Sequence, residues 1–540
     1  SPSGPRHARR RQWHPCACRT SSRNDAVAAG RRANGSRESP RRSGVGFANR
    51  WIGKQGEGYL WPIYLFVVVY LGPERWLHTD SAYTLFRILN HQSLFYDRIA
   101  CELLVWPGQL LSHLGAPLHW VMQSINIILP LMAWAGWIFF QNSPLRWLYF
   151  LVIFCGGSEA FFIGYSEIGL STLAFITAIQ WMVLGPKQLP LLLFLSITIT
   201  WLSHPAGVLY LPILALFGWR KLDLKQTLSL AIALICLFIA KQLIAPSNPY
   251  DAQLYSTLTN VQNFTQFANL FSVNYLLHAP WFFIPTATAI VCFIVGLLKP
   301  WRIPTAIYFA IFLIDILASV LIYSQGDAHI NMEKFFYPIA VIGMFSIGFY
   351  QWNSQKSVFA PTNQINQQPS HDNGVQTEAQ TPVRTQTRTQ QLISIPLWFL
   401  AFSMMLGIQK YLPNYAERKQ LLFDLTKTQT HTKLLIQQPD GDVANLKDSA
   451  AKIANALSQK GSLWGLSYET AIASKLIGLK ETHTTKIMSQ EEIKDWPTTN
   501  EFIADSLFIG APFEQPQPTH RLNPQYFRFS KNQYYHVNPK

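Results

Sequence analysis

The residues best suited to chemistry stand in LHTDSAYTLFRILNHQSLFYDR (residues 77–98), where Asp80 and Asp97 share a short stretch with Arg87, Arg98, His91 and several aromatics. The segment directly follows an apolar run, YLWPIYLFVVVYLG (59–72), that reads as a membrane span. A carboxylate held just beyond a span can take the proton of an acceptor hydroxyl, and a nearby guanidinium can neutralise a departing phosphate. Asp80 is therefore the candidate general base, with Arg87 and Arg98 as candidates for the phosphate. Aspartate is also a favoured N-cap, so Asp80 equally suits the start of a helix over SAYTLFRILNH, and the two roles are compatible. Asp97 and Arg98 read as an exposed ion pair of small energetic worth.

Further polar segments interrupt the apolar sequence. GGSEAFFIGYSE (156–167) sets Glu159 and Glu167 eight residues apart around three glycines, which suits either an unwound turn lining a cavity or an ordinary interhelical turn. In WLSHPAG (201–207), His204 could donate to a phosphate or sugar, or be a satisfied buried histidine. SQGDAHINMEK (324–334) brings together Asp327, His329, Glu333 and Lys334, a metal or phosphate locale without the spacing of a recognised metal motif. Glu333 and Lys334 also open a span, where solvation or topology would account for them. Lys241 lies a turn before the end of its span and can snorkel outward or hold a lipid phosphate. Asp315 is mid-span and should face protein. Tyr83, Phe86 and Tyr165 could stack on a sugar or prenyl chain, or serve ordinary packing.

These residues need an apolar frame to hold them. The 540-residue chain is 49% hydrophobic and only 14% charged, where globular domains average roughly 25% charged. Apolar runs near twenty residues recur between about 58 and 411, each long enough to cross about 30 Å of hydrocarbon as a helix. The spacing predicts an all-α polytopic membrane domain with spans near 57–75, 117–140, 147–163, 167–184, 189–203, 205–219, 227–245, 279–298, 303–323, 335–351 and 392–411. The pair on either side of SHPAG could instead form one broken hairpin bent at Pro205.

Charge distribution orients this frame. Of the net charge of +15, ten come from residues 1–50, where twelve arginines face only Asp25 and Glu38. This arm lacks apolar periodicity and reads as disordered, either a basic tail or the product of a misassigned start. It carries no cleavable signal peptide pattern. The location of the charge argues against a nucleic-acid partner. With the arm cytoplasmic, the inner loops hold seven basic residues against Asp223 alone, while the outer loops hold nine acids against Arg75, Arg87, Arg98 and Lys334. Six cysteines form no framework; the four in or beside apolar segments suit packing, and Cys16 and Cys18 lack a second ligand pair.

The organisation is then an arm (1–50), a transmembrane domain with external loops (51–351), a disordered cytoplasmic linker (352–391), a last span (392–411) and a small extracytoplasmic α+β domain (412–540). Residues 246–278 suit an amphipathic helix on the membrane surface. All four polar segments fall at the outer boundary under this threading, where held charges tend to be retained for a task.

An external Asp after the first span, a Glu-bearing third connection, a His-Pro pair, a late DAHINMEKFFYP loop and a polar C-terminal domain together resemble the GT-C superfamily of membrane glycosyltransferases. The resemblance covers about residues 58–411. It implies a multi-pass protein of a plasma or bacterial inner membrane that takes a sugar from a polyprenyl-phosphate donor and passes it to a glycan, lipid or protein acceptor outside the cytoplasm. It also implies Asp80 as the catalytic acid-base group; the reading of the polar residues themselves adds Arg87, Arg98, Glu159, Glu167, His204, Lys241, Asp327, His329, Glu333 and Lys334 as candidates to bind the substrate. Many members carry two neighbouring acids, whereas here Ser81 and Ala82 follow Asp80 and the next acid is Asp97; this counts against a metal-dependent mechanism, so a divalent metal stays only an open cofactor with no ligand assigned to it. Two other classes fit the same composition: a transporter or flippase of a lipid-linked or anionic substrate, and a non-catalytic membrane assembly protein.

Overall fold

The computed structural model describes residues 56–92, 98–154, 159–204, 207, 210–218, 222–244, 341, 381–437, 449–460, 463, 465–488, 522–528 and 535–537. The arm, the surface helix at 246–278, Asp97, Asp315 and the spans at 279–298 and 303–323 lie outside these residues, as do the span at 335–351 except Val341 and most of the linker. The described part is mostly helical.

The first helix, α1 (Leu60–Tyr70), is shorter than the expected 57–75 span. The cause is Pro73, which has no N–H for the Val69 carbonyl four residues back. The Gln123 side-chain amide donates to that carbonyl instead, at 3.1 Å. The chain turns through α2 (Gly72–Trp76) into α3 (Thr79–Leu89). Helix α3 begins before Ser81, so Asp80 occupies its first turn and His78 is the N-cap. Its C-terminus closes as a Schellman motif, Gln92 N–H to Arg87 O and His91 N–H to Ile88 O, with His91 at φ 56° where glycine is usual.

A helix not anticipated from sequence, α4 (Glu102–His113), follows. Helix α5 (Leu118–Phe139) matches its expected span. Residues 147–163 do not form one regular span: a 3₁₀ turn (Arg146–Phe150) leads into α6 (Leu151–Phe154), and a second turn covers Glu159–Phe162. Helix α7 (Glu167–Leu184) starts at Ser166, whose hydroxyl caps Gly169 N–H at 2.9 Å, and stops at Gly185, which takes the left-handed φ of 62°. Helices α8 (Leu189–Ser203) and α10 (Leu224–Ile244) match their expectations, while α9 (Leu211–Gly218) is a short part of 205–219.

Helix α11 (Thr381–Thr428) overlies the end of the expected linker, the last span and the start of the C-terminal domain without interruption. After it come β1 (Lys433–Gln437), α12 (Ser449–Ser458), α13 (Leu466–Leu476), β2 (Thr484–Met488) and β3 (Tyr535–Val537). The strands form a parallel sheet in the order β2-β1-β3, so β1 is central and β3 returns from the far end of the chain.

Among the described residues three helices, Leu118–Phe139, Glu167–Leu184 and Leu224–Leu243, are long and apolar enough to cross a membrane. Leu228, Ile232, Ile235, Phe238 and Leu243 of α10 are all more than half exposed. An apolar surface of that extent is stable against lipid rather than water. These observations support membrane association. The buried residues among those described divide into two clusters. One fills the bundle around Trp61, Phe150, Phe175 and Tyr210, where in a bilayer packing rather than water exclusion provides the attraction. The other joins α3 to the C-terminal sheet and helices through Leu85, Phe86, Leu422, Ile436 and Tyr468.

Candidate functional site

One end of the bundle collects the ends of many elements. Gly72 lies against Gln123 near the start of α5, while Ser143, just past the end of that helix, donates to Gln180 near the end of α7. The starts of α5 and α7 therefore share an end. Cys101 bonds the Ser203 carbonyl at 3.0 Å, which brings the end of α8 to the same region. Alternating spans would produce this arrangement.

Helix α3 forms the floor of the site. Ser81 accepts from Gly164 N–H at 2.8 Å, and Thr84 donates to the Tyr165 hydroxyl at 2.9 Å. A Cβ on Gly164 would stand 2.7 Å from the Trp76 ring, so only glycine permits this approach of the 163–166 bend. Tyr165 in turn lies within electrostatic range of Asp80, Glu167 and Arg98. Burial, then the Glu167 and Asp80 carboxylates, hold its phenol well above the usual range. Tyr165 therefore acts here as a neutral hydroxyl able to give or accept a hydrogen bond. Arg98 pairs with Glu167 across 69 residues of sequence.

The C-terminal unit roofs this floor. Tyr468 packs on Tyr83 and Phe86 with ring centroids 5.2 and 5.0 Å apart. Phe527 meets Phe86 at 4.9 Å, and the Tyr526 hydroxyl donates to Ala116 O at 2.7 Å. A Cβ on Gly465 would meet Thr79 at 2.3 Å, which brings the start of α13 directly onto the residue beside Asp80. Beneath that contact, Arg418 and Glu469 form an ion pair at 2.8 Å with 2% and 0% side-chain exposure, and Thr79 Oγ1 donates to the same carboxylate at 2.8 Å. Lys419 pairs with Glu74 of α2.

At the rim, the rings of His91 and His113 stack 3.8 Å apart, and Asn523 Nδ2 stands 3.1 Å from His91 Nε2. Asn523 also donates to Leu89 O and accepts from Gln525 N–H. Its amide is thereby oriented so that His91 Nε2 must accept, which requires an unprotonated nitrogen. Partial burial, then His113, lower the His91 pKa. A lowered folded-state value means the unfolded chain binds more protons near the ordinary histidine value of about 6.5, so this rim contact weakens as pH falls through it. The protection of residues 522–528 against hydrogen exchange, relative to the intrinsic exchange rate at each pH, is expected to fall more between pH 7.5 and 5.5 in the wild type than in His91→Asn. An equal fall in both would remove His91 as the cause.

The expected site residues fall into three groups. Asp80, Arg98 and Glu167 come together around Tyr165. Arg87 donates to the Tyr83 hydroxyl and lies over its ring. His204 is buried at the end of α8, and Lys241 stands 5.8 Å from the Trp201 ring centroid on that helix, a cation–π position rather than a free snorkel. Glu159 lies in a 3₁₀ turn. Asp327, His329, Glu333 and Lys334 lie outside the described residues. Among the described residues no three His, Cys, Asp or Glu side chains gather as metal ligands. Arg75, read from sequence only as a loop cation, is 6% exposed and bonds the Phe161 and Ile163 carbonyls at 2.7 and 3.0 Å. A cation three residues beyond an apolar run, next to Gly-Pro, is the only sequence signal it left.

Compared with protein-family models, curated proteins and solved structures, the chain matches none.

Proposed function

We propose that the chain is a multi-pass membrane glycosyltransferase of the GT-C kind, with eleven spans, transferring a sugar from a polyprenyl-phosphate donor to an extracytoplasmic acceptor. The observation that carries the reading is the position of Asp80: first turn of α3, at one end of an apolar bundle, beneath a roof and beside Tyr165 and the Arg98–Glu167 pair. In the proposed step, Asp80 accepts the proton of the acceptor hydroxyl as that oxygen bonds to the anomeric carbon. The bond from this carbon to the phosphate oxygen breaks, and polyprenyl phosphate leaves with the electron pair, inverting the centre. Tyr165 offers a neutral hydroxyl to orient the sugar or acceptor. Arg98, held by Glu167, keeps the two local carboxylates from summing unopposed. Positioning and electrostatics supply most of the acceleration.

The test is to give the purified full chain in nanodiscs a labelled polyprenyl-phosphoryl sugar and a panel of hydroxyl acceptors. Release of polyprenyl phosphate with label on the acceptor is expected. Label that crosses the bilayer of sealed vesicles with the sugar-phosphate bond intact would instead establish the transporter class.

A further inference from the structure

Beside Tyr165 lies a partly open cavity of ≈ 40 Å³, counted as room for the centres of water-sized spheres, lined among others by Tyr64, Arg75, Asn126, Phe161, Tyr165 and Ser166. One water needs about 10–15 Å³ on that measure, so the space is that of roughly three waters or one phosphoryl-sized group. Two of its lining residues keep a buried polar atom with no hydrogen-bond partner among the described residues: Arg75 Nη1 and Asn126 Oδ1. Arg75 is 6% exposed and Asn126 2%. The Arg75 fork is otherwise fixed, with Nε and Nη2 on the carbonyls of the 161–163 turn and the guanidinium 4.9 Å from the Phe161 centroid. No described carboxylate pairs with it. The Asn126 amide is oriented through Gln123, whose Nε2 donates to Val69 O and whose Oε1 therefore accepts from Asn126 Nδ2. That leaves Oδ1 as the amide's unused acceptor on a residue that lines the cavity.

A buried guanidinium lacking a carboxylate is expensive to hold, and an anion in the adjoining space would offset that cost. The lone acceptor beside it is satisfied by a hydroxyl. We propose that this cavity is a binding subsite for an oxyanion bearing a neighbouring hydroxyl, the arrangement of a glycosyl phosphate, with Arg75 Nη1 donating to the anionic oxygen and Asn126 Oδ1 accepting from the hydroxyl. The proposal deepens the glycosyltransferase reading and rests on it for the choice of ligand. Through Tyr165 the subsite adjoins Asp80, which is where the leaving phosphate of the transfer step would need to be.

The experiment titrates the full chain in nanodiscs with mannose 1-phosphate, inorganic phosphate, mannose and a short-chain prenyl phosphoryl mannose, following heat release. Mannose 1-phosphate is expected to bind more tightly than inorganic phosphate or mannose. Stronger binding of the prenyl compound would make the source a lipid-linked donor, and equal binding a free sugar phosphate. Arg75→Ala removes two loop contacts and could unfold the 161–163 turn, so the decisive variant is Asn126→Asp. It is close in shape, preserves the acceptor and gives Arg75 a carboxylate, so thermal stability should hold or rise while mannose 1-phosphate affinity falls by roughly tenfold or more. Unchanged affinity in Asn126→Asp, or no phosphate-dependent binding to the wild type, would leave a water-filled cavity and overturn the subsite. Transfer by the wild type, measured on the same preparation, separates the two readings. Binding without any transfer by the wild type would sink the transferase and keep the subsite, whereas transfer with Asn126-independent binding would do the reverse.

Discussion

Asp80→Asn is expected to lower sugar transfer by about 10²–10⁴-fold, the usual worth of a positioned general base, with little change in the fold. Asparagine matches the shape of aspartate and retains an acceptor, but cannot take up the hydroxyl proton. Its structural cost should be small. The Asp80 carboxylate lies in the first turn of α3, where a negative charge contributes about 0.3–1 kcal/mol through the helix dipole, so the midpoint of thermal unfolding should fall only slightly. Initial rates with saturating donor and a melting curve on the same preparation decide the matter. Transfer within twofold of the wild type would leave Asp80 a helix-stabilising residue. A large loss of both rate and melting midpoint would assign it to architecture.

The second large effect concerns the joint between roof and floor. Glu469→Ala strands Arg418, 2% exposed, and breaking a buried pair by removing one partner costs about 3–5 kcal/mol. Thr79 Oγ1 loses its acceptor as well, adding roughly 1 kcal/mol. Because the same carboxylate ties α13 to both α11 and α3, the roof should come away from the bundle before the bundle melts. Limited proteolysis is expected to cut the chain beyond α11 at lower denaturant in the variant than in the wild type. The double replacement Arg418→Met with Glu469→Leu should regain most of the loss, since apolar residues of similar volume often replace a buried pair at little cost. If single and double variants are equally labile, the joint is held by the aromatic contacts of Tyr468 instead.

How far these features could be read from the chain differs by element. Helices α5, α7, α8 and α10 were legible because long apolar runs bounded by Pro117, Ser166, Gly185 and Gln188 leave few alternatives. Helix α4 was not, because its mixture of apolar and polar residues and its internal Pro107 resemble a loop when no packing partner is known. Strands β1 and β2 were missed for a related reason. KLLIQ and TTKIM are short, and they bury Lys433, Thr484 and Thr485 almost completely. Their polar side chains are satisfied by tertiary contacts, as when Thr484 Oγ1 donates to Ser467 O at 2.9 Å. Asp80 and Glu167 could be singled out because acids at the edge of apolar runs are conspicuous. The role of Arg75 was invisible, since it depends on carbonyls 86 and 88 residues away. The Arg418–Glu469 pair, 51 residues apart, likewise leaves no local trace.

Helix α11 contains Pro413 about two thirds of the way along its length. A proline there leaves the Gln409 carbonyl without its usual donor and crowds the turn before it, so bending at that level is cheap. The five residues from Gln409 to Pro413 are therefore the least stiff stretch of this part of α11, and the Phe162–Tyr415 ring stack at 4.2 Å and the Lys419–Glu74 pair just beyond them fix the direction the helix takes there.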